Sequence, residues 1–117
     1  MILGKWRVSV AEAMKMLPRP SGERYAKVLE HGTLDIEIYA PRGTDPQKPH
    51  TRDEVYFVVE GRGEFRNGPR LERFGPGDVL FVPAQVEHRF ENFTDDLVVW
   101  VMFYGPEGGE AAMGGAP

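Results

Sequence analysis

A chain of 117 residues with 41% hydrophobic and 27% charged side chains has the balance of one globular domain with a buried core. Its net charge of -4 argues against a general polyanion binder, which needs clustered Lys and Arg, so no nucleic-acid partner is expected. The absence of cysteine excludes disulfides, thiolate metal ligands and thiol nucleophiles.

The longest apolar run, Leu97 to Tyr104, is strand-sized and far short of the roughly 18 residues of a membrane helix. Met1 to Arg7 are too few and too polar for an export signal, which makes the cytoplasm the expected compartment. Ser9 to Leu17 predicts a short helix, with Ser9 as cap, Glu12 completing a capping box and Pro18 as stop. So short a helix has to dock on something to persist. Pro18, Pro20, Ser21 and Gly22 then mark a loop.

From Arg24 the hydrophobic period becomes two. Tyr25 to Glu30 and Leu34 to Tyr39 predict a hairpin turning at His31-Gly32, where His31 reads as a solvated turn residue. A proline-rich loop, Pro41 to Pro49, leads to a strand over Glu54 to Val59. Further strands are predicted at Glu64 to Arg66, Leu71 to Phe74, Val79 to Val82, Glu87 to Glu91 and Leu97 to Tyr104. Turn signals every eight to twelve residues in a strand-rich chain predict an all-β sandwich or barrel. The expected organisation is an arm with a short helix over 1–22, a barrel over 23–104 and a flexible tail over 105–117, where Gly and Ala accumulate.

His50 and Glu54 lie four residues apart at the entry to the run Val55 to Val59, whose β-branched and aromatic residues favour a strand over a helix. Four extended steps span roughly 13 Å, whereas ligands sit about 2 Å from a shared ion. The backbone through Thr51, Arg52 and Asp53 therefore has to bend if both are ligands. His88 begins a later strand. Two histidines and a carboxylate are the donor set that open Fe(II), Mn(II) and Zn(II) sites use.

The segment from Gly43 to Gly61 resembles the first motif of the cupin family: a Gly, a His-x-His pair, a Glu shortly after, then six residues and a Gly. Here His50 falls on the second His, Glu54 on the acid and Gly61 on the closing Gly. Gly77 to Asn92 resembles the second motif, with Gly77, Pro83, His88 and Asn92 at the family's spacing. The resemblance implies a double-stranded β-helix, or jelly-roll barrel, holding one divalent metal ion per chain (Fe, Mn, Ni or Zn) on His50, Glu54 and His88.

Two positions depart from the pattern. Lys48 replaces the first His, and Gln85 stands where a small residue is usual, a change expected to affect only a turn. Lys48 has three readings: it points away and leaves a three-ligand site, it reaches into the pocket as a substrate partner or base, or it is a solvated loop residue. Gln47 is a further oxygen donor near the site. Strand parity places Tyr56 on the Glu54 face and Phe90 on the His88 face. Both are candidate pocket residues with Arg52 and Trp100, although core and surface roles are the commoner ones. The last strand is apolar on both faces, Val98, Trp100 and Met102 against Val99, Val101 and Phe103, so both should be covered. The resemblance also implies a homodimer. Three functions are open: a metal-dependent enzyme, dioxygenase-like or an isomerase of sugars or organic acids; a small-ligand binding or sensor module; and a stress or storage barrel.

Overall fold

The computed structural model describes residues 6–111. A short helix, α1 (Val10–Met14), precedes eight strands: β1 (Tyr25–His31), β2 (Leu34–Tyr39), β3 (Asp53–Glu60), β4 (Gly63–Asn67), β5 (Arg70–Phe74), β6 (Val79–Val82), β7 (His88–Glu91) and β8 (Val98–Tyr104). All strand pairs are antiparallel. They form a five-stranded sheet of order β1-β2-β8-β3-β6 and a three-stranded sheet of order β5-β4-β7.

Alternation of side chains along the strands builds the core between the sheets. Tyr39, Tyr56, Val58, Val99 and Val101 from the larger sheet meet Phe65, Phe74 and Phe90 from the smaller one. The rings interlock edge to face, with Phe90 against Tyr56 at 5.0 Å and against Phe74 at 5.2 Å between centroids. Gly61 lets the sheets turn this closely: its φ is +98°, and a Cβ there would lie 2.6 Å from Leu97 Cα.

A second cluster covers the outer face of the larger sheet. Ala13 of α1 packs with Ala26, Val28, Ile38, Ala40 and Val98, and Trp100 lies against them. Both faces of β8 are therefore apolar for a structural reason, one facing the barrel and one facing the helix layer. The Ser9–Glu12 capping box forms reciprocally, at 3.1 Å in each direction. The regular helix ends at Met14, four residues before Pro18, because Met16 and Leu17 bond three residues back in tighter turns.

The segment expected as a tail, 105–117, is bonded to the barrel at two points, and 112–117 falls outside the described residues. Gly108 N–H donates to the Thr51 carbonyl at 2.6 Å, and Glu110 N–H donates to Asp53 Oδ2 at 2.8 Å. Among the described residues, no helix is long and apolar enough to cross a membrane.

Candidate metal centre

The loop that follows Ala40 carries His50, and β3 carries Glu54. Between them the chain bends at residues 51–52, which brings the two side chains together as an extended strand would not. His88 opens β7 on the facing sheet. Gln85 N–H donates to the His50 carbonyl at 2.7 Å and so ties the His88 loop to the His50 loop. Gln85 has φ +70°, a left-handed conformation that costs a side chain strain and a glycine none.

One donor atom each from His50, Glu54 and His88 lie within 4.8 Å of one another. Ligands about 2 Å from an ion are at most about 4 Å apart, so closing on one draws the widest pair in by under about 1 Å. Glu54 and His88 are each 1% exposed. Their nearest atoms, Glu54 Oε1 and His88 Nε2, are 3.1 Å apart, yet neither atom has hydrogen-bond geometry, and Glu54 Oε2 is equally without a partner. Three orphaned polar atoms at one buried point are costly, and a divalent cation is the group that would satisfy all three.

The surroundings prepare the donors. His88 Nδ1 is 2.9 Å from the Val86 carbonyl, which only accepts, so the proton sits on Nδ1 and the lone pair on Nε2. Burial drives the His88 imidazole down, but the Glu54 carboxylate, the Val86 carbonyl and Asp45 outweigh it and leave it above its ordinary value. Burial lowers His50, with His88 adding to the effect and Glu54 and Asp45 opposing it, which favours the neutral, ligating form.

Behind the donors runs a buried relay. Asp45 accepts from the Tyr39 hydroxyl, from Gln47 Nε2 at 2.8 Å and from Phe90 N–H at 2.8 Å. Because the Gln47 amide nitrogen faces that carboxylate, its Oε1 faces the Tyr56 hydroxyl at 2.9 Å and His50 Nε2 at 3.3 Å. The sequence reading missed Asp45. It looks like any loop acid, and its partners lie as far away as Phe90.

The remaining expected pocket residues separate. A cavity of about 590 Å³ opens beside the centre, lined by His50, Gln47, Tyr39, Glu37, Val101 and Phe103 among others. Lys48 is exposed and does not line it, which leaves three donors and no cation against them. Tyr56 is fully buried behind the cavity, and Phe90 is core. Arg52 is held at the edge, donating to the Thr33 carbonyl and pairing with Asp35. Trp100 lies on the opposite face of β8, in a surface hollow with Trp6, Phe57 and Met102, so it cannot line this cavity.

The family model described as Cupin domain matches residues 35–104, more than half the chain. The chain is a cupin. It is 41% identical over 85 residues to an uncharacterized protein of Streptomyces coelicolor, a match covering 71% of this cupin and 81% of that protein. It is 30% identical over 97 residues to mannose-6-phosphate isomerase 2 of Arabidopsis thaliana, covering 81% of this cupin and 22% of the isomerase. It is 31% identical over 70 residues to gentisate 1,2-dioxygenase of a Streptomyces species, covering 56% of this cupin and 19% of that enzyme. This cupin thus spans about a fifth of the length of each of these two enzymes. Its fold superposes on the crystal structure of TT1209 from Thermus thermophilus with a TM-score of 0.64 at 22% identity, over 86% of this cupin and 98% of that protein.

Proposed function

We propose that this cupin holds one divalent metal ion, Fe, Mn, Ni or Zn, on His50, Glu54 and His88, and that it is a metal-dependent, dioxygenase-like enzyme acting on a small organic molecule. The observation that carries the reading is the convergence of the three unsatisfied atoms of Glu54 and His88 with His50, which also lines the adjoining cavity. Three protein donors leave coordination positions open, and an ion there supplies Lewis acidity or, as Fe(II), reactivity toward oxygen.

The chain's own residues do the rest. The Val86 carbonyl orients His88, and Gln47, held by Asp45, stands against His50. Val101 and Phe103 give the cavity an apolar wall beside His50. The enzymatic activities of the isomerase and the dioxygenase are consistent with chemistry at such a centre. We further propose that two chains pair through the outer face of the larger sheet.

The test is elemental analysis by mass spectrometry of protein purified without a His tag or added metal. About one equivalent of metal per chain is expected, with binding weakened more than about 100-fold in Glu54→Ala, beyond what losing a supporting residue costs. Iron would point to oxygen chemistry. No metal even after anaerobic reconstitution would overturn the reading and leave a small-ligand binding module.

A further inference from the structure

The cavity beside the centre holds an acid that the metal reading leaves without a task. Glu37 is on the inner face of β2, opposite Val101 of β8, which is in turn opposite Tyr56 of β3. Two strand spacings, about 10 Å, therefore separate the Glu37 and Tyr56 backbones. Glu54 is the next inward-facing position along β3. Glu37 and His50 line the same cavity, with Val101 and Phe103 as its apolar wall. The gap between Glu37 and the centre is that of a small molecule.

The cations around Glu37 are committed elsewhere. Lys27, its cross-strand partner on β1, directs its ammonium to Glu30 at 3.2 Å and Asp35 at 3.4 Å. Arg52 is engaged with Asp35. Arg24 and Arg42 both donate to the Ala40 carbonyl, at 2.9 and 3.2 Å, and Arg19 lies over the Tyr25 ring. No hydrogen bond or ion pair to another described residue engages the Glu37 carboxyl. Burial raises it above the ordinary carboxylate range, with Asp35 and Glu54 adding to the rise and Lys27 and Arg19 opposing it. A half-buried carboxylate with no donor beside it is destabilising until something brings one.

We propose that Glu37 is the recognition residue of this cavity, accepting a hydrogen bond from a hydroxyl or ammonium group at the far end of a small ligand whose near end reaches the His50, Glu54 and His88 centre. The ligand class is a small molecule with metal-binding oxygens at one end and a hydrogen-bond donor at the other. The inference rests on the metal reading above.

The test uses Co(II)-loaded protein and three bidentate chelators of matched size: β-alanine hydroxamate, β-hydroxypropionohydroxamate and butyrohydroxamate. They end in an ammonium, a hydroxyl and a methyl group, and their binding is read from the visible Co(II) spectrum. The ammonium and hydroxyl compounds should bind the wild type roughly tenfold more tightly than the methyl compound. Glu37→Leu should erase that preference and Glu37→Gln weaken it for the ammonium compound, both with unchanged Co(II) affinity. The wild-type comparison alone decides if a variant fails to fold. Equal affinities in the wild type, a preference that survives Glu37→Leu, or Co(II) that binds while no hydroxamate perturbs it would each overturn the inference. Failure of Co(II) to bind would overturn the metal reading, and the inference with it.

Discussion

Glu37 and Glu54 are both carboxylates on the inner face of the larger sheet, and their surroundings give them different work. Glu54 is sealed, with both oxygens unsatisfied beside two imidazoles. Glu37 reaches the cavity, and burial pushes its carboxyl up. A raised carboxyl makes the folded chain bind its proton more tightly than the unfolded chain does. Stability is then full below the ordinary value of 4.5 and falls as pH rises through the elevated folded value. Metal-free Glu37→Gln should therefore match the wild type near pH 4 and exceed it in melting temperature at neutral pH, with the gap opening across that window in paired thermal melts. A constant gap at all pH values would show that Glu37 titrates normally. At this scale the sequence was most informative where a motif carries the signal: His50, Glu54 and His88 were legible because the segments around them resemble the two cupin motifs, whereas strand spacing alone would hold His50 and Glu54 apart. Asp45 was not legible, because its role depends on Tyr39, Gln47 and a backbone N–H at Phe90.

Asp53, a buried acid at the start of β3 beside Glu54, fastens that strand to the turn before His88 and to the C-terminal segment. Its carboxylate accepts from Ala84 N–H at 2.9 Å, in the turn before His88, and from Glu110 N–H at 2.8 Å in the C-terminal segment. Asp53→Ala leaves two partly buried N–H groups without an acceptor, which should cost roughly 2 kcal/mol in chemical denaturation. It also frees the His88 turn relative to β3, so metal affinity should fall roughly 10–100-fold by competition with a chelator. Loss of stability with unchanged affinity would mean that the donors are held by their strands alone. The fastening was hidden in the sequence because Gly105, Gly108 and Gly109 read as a loose end. Gly109 serves close approach, since a Cβ there would lie 2.9 Å from Asp53 Oδ1 and 3.0 Å from Ala84 Cβ, while Gly108 supplies a left-handed φ of +88° beside its bond to Thr51. The strands themselves were legible from alternation, whereas the face taken by Trp100 was not, since both sides of β8 are equally apolar.

Among the described residues, two apolar clusters share one sheet: the inner one lies between the two sheets, and the outer one is only partly covered. The helix covers the β2 side of the outer face. Toward β3 and β6, Phe57 is 40% exposed and its cross-strand neighbour Val79 is 63% exposed, with Trp6 at 88% nearby in the hollow that Phe57 shares with Trp100 and Met102. An antiparallel sheet with one solvated face ordinarily carries polar residues there. A contiguous apolar patch instead marks an association surface, and the self-complementary pairing of two such sheet faces satisfies the symmetry of a homodimer. Wild-type protein should sediment at twice the single-chain mass of 13.2 kDa. Phe57→Glu would bury an unpaired charge at the centre of the patch, costing several kcal/mol on association, and should shift the protein to the monomer at micromolar concentration. Its metal content should not change, because Phe57 points away from the barrel that holds His50, Glu54 and His88. A wild-type monomer would refute the pairing, and a Phe57→Glu dimer would move it to another surface.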